Sequence, residues 1–423
     1  MLVKPLMLRI FLSVKKYAWT FIKWLVVASV VGLVGGGVGT LFCKAVVFAN
    51  EFRAEHKYII FALPIGGLAI VALYKLCKLK EDPGTNLIIS SVRSDRNVPI
   101  VIAPLIFVST TITHLLGGSA GREGAALQLG GSIGAKTGEL FRLNERDMSL
   151  VIMCGMSAVF SALFGTPLTA AFFAMGVISV GVIYYVGLVP CIVSSLVACK
   201  LAEFFGVSGE KFEIAKYVPK IDWLSVAKVG ALAVLCALVS ILFCIAMKYT
   251  HFKLKVTLKN EYLRVAVGGV AIILLTLLVG NQDYNGAGSA VIAMALGQGS
   301  THWYSFLLKI LFTAITIGAG FKGGEIVPTL FIGSTFGCAV APLLGLSAQF
   351  GAAVGLIAVF CGVVNCPIAS IFLSIEMFGT QGLILFAFAC GVSFMLSGYY
   401  GLYTSQKIVY SKLTAKFINK NAH

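Results

Sequence analysis

The chain reads as an all-α, polytopic membrane protein built from short, tilted and broken helices arranged as two inverted-topology repeats. Three observations carry that reading. Of its 423 residues, 58% are hydrophobic and only 12% charged, and the mean hydropathy is +0.95; such a chain cannot keep its apolar surface inside a water-soluble globule. Two glycine-rich segments, GREGAALQLGGSIG from residue 121 and GEIVPTLFIGSTFG from residue 324, share the frame G-x-x-x-[AP]-x-L-x-[LI]-G-x-x-x-G at an offset of about 203 residues. Positive charge, finally, collects at positions that place equivalent loops of the two halves on opposite faces.

Residues 1–23, with Lys4, Arg9, Lys15, Lys16 and Lys23, precede the first long apolar run (24–50) and are expected to form a cytoplasmic interfacial amphipathic helix rather than a signal peptide, because the following run is long and shows no cleavage site. The next loop, Glu51 to Lys57, is nearly charge-balanced. Lys75, Lys78 and Lys80 then return the chain to the cytoplasm. In the second half the first span instead leads into a basic loop with Lys248, Lys253, Lys255, Lys259 and Arg264. This charge inversion predicts a first repeat over 24–206, a polar linker over 207–222, a second repeat over 223–406, and a short basic cytoplasmic tail over 407–423 with no soluble regulatory domain. Both termini are expected on the cytoplasmic side of the membrane.

The repeat extends beyond the two glycine-rich segments. Gly155 to Phe160 matches Gly355 to Phe360, and each is followed seven residues later by a proline, Pro167 or Pro367, opening another apolar helix. Polar, glycine-bearing breaks precede the glycine-rich segments in both halves: Asp82-Pro83-Gly84-Thr85-Asn86 and Asn285-Gly286-Ala287-Gly288. Many apolar runs between breaks are shorter than the roughly 20 residues that span a bilayer.

Those breaks supply chemistry. A helix that begins inside the membrane has N–H groups without intrahelical partners and a partial positive charge at that end. Several such starts converging on one point bind a small anion without a lysine or arginine. Glu123 and Glu325 sit in these starts, and a carboxylate at membrane depth is expensive to ionise and marks an ion or proton path. Glu123 is expected to occupy the anion position when ionised and to vacate it when protonated. The eleven cysteines are scattered through apolar runs and read as small buried hydrophobes, and the five histidines form no metal cluster. The net charge of +16 flanks apolar runs, so it reads as membrane topology and contact with lipid rather than nucleic-acid binding.

At these residues the chain resembles the CLC family of chloride channels and anion/proton antiporters. GREGA is similar to that family's G-[KR]-E-G-P motif, Gly324-Glu325-Ile326-Val327-Pro328 to its G-x-F-x-P, and Leu402-Tyr403-Thr404-Ser405 falls where the family's central tyrosine lies. The resemblance implies a homodimer with one anion pathway per subunit. Glu123 would be the gating and proton-transfer glutamate, and Tyr403 a central anion-lining hydroxyl. Departures point to one branch. The family's G-S-G-I-P is here Gly84-Thr85-Asn86-Leu87-Ile88, the internal proton glutamate would fall on Val177, and Glu325 stands beside Ile326, where the family has phenylalanine. These substitutions resemble the bacterial fluoride/proton antiporters, CLC-F. The implied function is proton-coupled fluoride export conferring fluoride resistance, with Glu325 as a central coupling glutamate and no cofactor or metal. A chloride channel or chloride/proton exchanger of the same fold is the alternative. The implied anion-binding set is Gly84, Thr85, Asn86, Gly121, Arg122, Gly124, Gly324, Ile326, Val327 and Tyr403.

Other readings of the same residues remain open. Glu123 and Thr85 can cap helices, Glu325 can pair with Lys322, Tyr403 can belong to an interfacial belt, and Glu376 can support a helix contact rather than carry protons. Two G-x-S-x-G matches, at Gly117–Gly121 and Gly130–Gly134 with His114 nearby, raise a serine hydrolase, although in a chain with 46 glycines they fit small-residue helix packing better.

Overall fold

The computed structural model describes residues 3–79, 84–94 and 98–422, with side chains from residue 13 onward; Lys80, Asp82 and Pro83 of the first break and His423 of the tail lie outside them. The first half contains α1 (Val3–Glu55), α2 (Leu63–Leu76), α3 (Thr85–Arg93), α4 (Ile102–Leu115), α5 (Glu123–Leu140), α6 (Glu145–Phe164), α7 (Pro167–Gly176) and α8 (Leu188–Phe204). The second repeats the order as α9 (Trp223–Thr257), α10 (Glu261–Val279), α11 (Ser289–Gly297), α12 (Ser305–Ala319), α13 (Ile326–Val340), α14 (Ala348–Val364), α15 (Pro367–Phe378) and α16 (Leu383–Leu396). Seven helical segments among the described residues are long and apolar enough to cross a membrane. By contrast, α3 and α11 have 9 residues each, about 14 Å at 1.5 Å per residue, and cannot.

The two halves meet on a pseudo-twofold axis marked by residues that touch their own repeat equivalents. Gly121 and Gly324 form a single antiparallel backbone pair, each N–H donating to the other's carbonyl at 2.7 Å. The Phe172 and Phe372 rings stack at 4.5 Å, and they occupy the same place after Pro167 and Pro367. Packing within the halves is also duplicated. A Cβ on Gly130 would lie 2.2 Å from the Gly155 carbonyl, and one on Gly333 would lie 2.3 Å from that of Gly355. Glycine in the shared frame therefore lets α5 approach α6, and α13 approach α14, backbone to backbone.

Three helix starts at exposed turns are capped by side chains: Asn144 accepts from Asp147 N, Asp222 from Ser225 N, and Asn260 from Tyr262 N. The starts of α3, α5, α11 and α13 take no side-chain cap. The start of α7 is capped from the other half: Glu376 Oε1 accepts from Leu168 N, and Oε2 from Thr169 N and Thr169 Oγ1. Both carboxylate oxygens are thus occupied, which is the helix-contact role. Glu376→Ala is expected to lower stability by about 1–2 kcal/mol, read as a fall in the thermal unfolding midpoint of the solubilised protein; an unchanged midpoint would contradict the cap.

Two features add detail to the expected layout. Helix α1 runs through residue 23 to Glu55 without a break, so the basic stretch and the first apolar run belong to one helix; the basic stretch holds no glycine to interrupt it. The fold is helical as expected, with one small sheet added near the C-terminus. Residues 407–421 fold into an antiparallel hairpin of β2 (Lys407–Tyr410) and β3 (Phe417–Asn421), and β2 pairs in parallel with β1 (Ser179–Val180). Ile408, Val180 and Ala422 form a small buried cluster there, while Lys412 Nζ donates to Asn365 Oδ1 and to Ser397 Oγ. Those acceptors stand at the ends of α14 and α16, where a cation is favoured. All eleven cysteines are free, and all but Cys77 are buried.

Candidate functional site

The uncapped starts of α3, α5 and α13 converge around the Gly121–Gly324 pair. A Cβ on Gly324 would sit 2.3 Å from Gly124 N and 2.9 Å from Glu123 N, so the first turn of α5 lies directly on the loop that opens α13. Glu123, 0% exposed, folds back over its own helix start: Oε2 accepts from Arg122 N at 3.0 Å. Its Oε1 is 3.4 Å from Arg122 Nε but takes no hydrogen bond. Glu123 is thus a carboxylate held at the positive end of a helix.

Glu325 approaches from the facing start. Its Oε2 is buried without a hydrogen-bond partner and lies 2.9 Å from where a Cβ on Gly124 would be. No ion pair joins it to Lys322 among the described residues; the Lys322 ammonium lies 4.6 Å from the Tyr74 ring centre. Thr85 does not cap α3, whose N-cap is Gly84. Its hydroxyl donates to Gly124 O at 3.2 Å and so ties the α3 start to the α5 start. Asn86 Oδ1 accepts from Ser405 N at 2.9 Å, which fixes the segment carrying Tyr403 against α3. Tyr403 is 3% exposed, so it is no interfacial belt residue, and its hydroxyl has no partner. Ile326 and Val327 are buried beside these groups.

Arg122 faces the other way. Its Nη1 donates to Cys43 Sγ at 3.0 Å and its Nη2 to Leu163 O at 3.3 Å, and it lines a cavity of about 690 Å³ together with Glu123, Arg53, Asn285, Gly288 and Ser289. The uncapped start of α11 opens into the same cavity. Two cations in this region escaped sequence reading. Arg53 donates to His114 O at 2.7 Å, and the fully buried Lys309 donates to Gly286 O at 2.7 Å and Tyr284 O at 3.1 Å, holding the loop before α11. A lone lysine inside the apolar run SFLLKILF was the available signal. The hydrolase reading finds no geometry: the Ser119 hydroxyl pairs with Thr313 at 3.1 Å, and His114 Nδ1 faces Asn50 Oδ1 at 3.4 Å.

What this site can do is bounded by its groups. It offers the first-turn N–H donors of three helix starts, one hydroxyl and two carboxyl groups, which suits a small anion and protons.

Comparison with known proteins agrees with this architecture. The family model for voltage gated chloride channels matches residues 66–398. A relative from Pseudomonas syringae pv. tomato named chloride/fluoride channel protein is 35% identical over 397 residues, covering 92% of this chain and 87% of the relative. The H(+)/Cl(-) exchange transporter ClcA of Vibrio vulnificus is 27% identical over 398 residues, covering 86% and 84%. Among solved structures, a CLC-type fluoride/proton antiporter superposes with a TM-score of 0.88 at 32% identity, covering 91% of this chain and 98% of that one. A slow cyanobacterial Cl-/H+ antiporter, at TM-score 0.73 and 21% identity over 88% of this chain and 94% of its own, shares the fold. With its many apolar helices and two duplicated halves, the chain is a multi-pass membrane transporter of the CLC family.

Proposed function

We propose that the protein exports fluoride from a bacterial cell in exchange for inward-moving protons and so confers fluoride resistance. The observation that carries this reading is the second buried carboxylate: Glu325 meets the starts of α5 and α3 from across the pseudo-twofold axis, beside Gly124 and Thr85. The likeness to a structure described as a fluoride/proton antiporter supports it. Fluoride is small and strongly hydrated, so it demands compact donors in place of its water. The first-turn N–H groups of α3, α5 and α13 supply them, with the Tyr403 hydroxyl alongside.

In this mechanism Glu123 alternates between the anion position and the cavity beside Arg122, which faces outward. Protonation releases it from the helix start, and an anion takes its place. Glu325 holds a proton near the central site. The assembly is a homodimer with one pathway per subunit, set in lipid of the inner membrane with both termini cytoplasmic. Its repeats run over 24–206 and 223–406, joined by 207–222, and the short basic tail over 407–423 lies on the cytoplasmic side, with its hairpin over residues 407–421. Chloride transport by the same fold is the competing reading.

Paired efflux from liposomes separates the two. Fluoride is expected to leave ahead of chloride and to drive measurable proton movement; equal rates for the two anions would return the chain to the chloride branch. Glu325→Gln is expected to abolish proton movement, and intact coupling in that variant would remove its assigned role.

A further inference from the structure

Gln128 stands outside every motif residue singled out above, yet it is 5% exposed and lies on α5 one turn after Gly124. Helical side chains lean toward the N-terminus and cover the turn four residues earlier. The Gln128 carboxamide accordingly reaches back over Gly124, where its Nε2 donates to Thr85 Oγ1 at 3.4 Å and lies 3.8 Å from the place of a Cβ on Gly84. Glycine at 124 lets the facing loop and its carboxylate come this close. A Cβ there would be 2.9 Å from Glu325 Oε2 and 3.6 Å from Thr85 Oγ1. The Thr85 hydrogen is already committed to Gly124 O. Two acceptors near this turn, Glu325 Oε2 and Gln128 Oε1, are both buried and both without a hydrogen-bond partner. Buried acceptors without donors are unfavourable and rare in folded proteins. A donor between them is what the arrangement lacks.

We propose that Gln128 is a positioning residue for the proton held at Glu325. With Glu325 protonated on Oε2, the new hydroxyl donates to Gln128 Oε1, while Gln128 Nε2 stays on Thr85. One proton adds to the carboxylate and no other covalent bond changes; the amide oxygen accepts the hydrogen bond without taking the proton. Release of that proton restores two unpaired acceptors, so Gln128 favours the loaded state. The inference rests on the proposed exchange and specifies where its proton waits. The repeat makes the arrangement one-sided: the equivalents of Glu325 and Gln128 are Arg122 and Phe331, and the Phe331 ring packs against Gly288 beside the larger cavity. An acid–amide pair thus exists on only one side of the axis.

Infrared difference spectra between proton-loaded and unloaded protein test this without requiring transport. The carboxyl band assigned to Glu325 by its loss in Glu325→Gln should move to higher frequency in Gln128→Met, because the hydroxyl loses its acceptor. In liposomes the same variant should move about two- to tenfold fewer protons per fluoride, the scale of one lost hydrogen bond, whereas a merely structural role would leave band and ratio unmoved. Should Gln128→Met fail to fold, wild-type protein carrying carbonyl-labelled glutamine serves instead. One glutamine side-chain band should shift down on proton loading and stay fixed in Glu325→Gln. A carboxyl band unmoved in Gln128→Met, or no glutamine band that responds to loading, overturns the proposal, and either result stands whether or not the wild type proves to exchange fluoride.

Discussion

Fluoride-driven proton movement through the Glu123→Gln variant is expected to fall to the background of empty liposomes. The substitution keeps nearly the same volume in a site with no exposure, so packing should survive. The glutamine oxygen can still accept from Arg122 N, as Glu123 Oε2 does at 3.0 Å. What the amide cannot do is bind and release a proton. It also carries no charge to compete with an anion for the partial positive end of α5. Retained fluoride binding by the purified variant, alongside absent proton movement, would show that chemistry rather than folding was lost. The effect should exceed that of Gln128→Met, because Glu123 carries a proton whereas Gln128 only steadies one. Normal coupling in Glu123→Gln would sink the gate assignment.

How much of this was legible beforehand depends on what each residue needs in order to be recognised. The duplicated glycine frame was readable because close backbone approach requires glycine at fixed spacing, and the Gly121–Gly324 pair and the Gly130–Gly155 and Gly333–Gly355 approaches are that requirement seen directly. Glu123 and Glu325 stood out because charge is scarce in apolar segments. The side on which each acts was not readable, since it follows from which helix crosses above it. Thr85 offered a hydroxyl to the sequence reader, but that hydroxyl is occupied by Gly124 O. Gln128 and Lys309 were passed over for the same reason: their meaning lies in what α3 and the loop before α11 bring to them, and those neighbours are tens of residues distant in sequence or more. The C-terminal hairpin was hidden by its lysines, which read as a solvated tail although Ile408 is fully buried. Continuity of α1 was hidden because periodicity marks a helix but not the membrane surface it crosses.

Gly324→Ala is expected to disable the protein, and it tests the central claim that the two halves are joined through backbone. The added methyl would sit 2.3 Å from Gly124 N and 2.9 Å from Glu123 N, and neither atom belongs to a side chain that can rotate away. Relief requires the two loops to part. Parting them stretches both 2.7 Å hydrogen bonds of the Gly121–Gly324 pair and moves Glu325 away from Gly124 and Thr85. Overpacking of about 1–3 kcal/mol and loss of two hydrogen bonds at about 0.5–1.5 kcal/mol each bring the expected destabilisation to about 2–6 kcal/mol, a large share of a typical protein's stability. The matching control is Gly391→Ala on α16, where no heavy atom lies within 4 Å of the added carbon. There the change should be neutral, or stabilising by about 0.5–1 kcal/mol through helix propensity. Thermal midpoints of the two purified variants separate these outcomes, and transport assays on any folded Gly324→Ala protein should find the proton-to-fluoride ratio collapsed, because coupling depends on Glu325 standing where the α5 start meets α3. A Gly324→Ala variant as stable and as well coupled as its parent would mean that the halves tolerate separation at the axis, and that the two carboxylates need not be held together by the backbone between them.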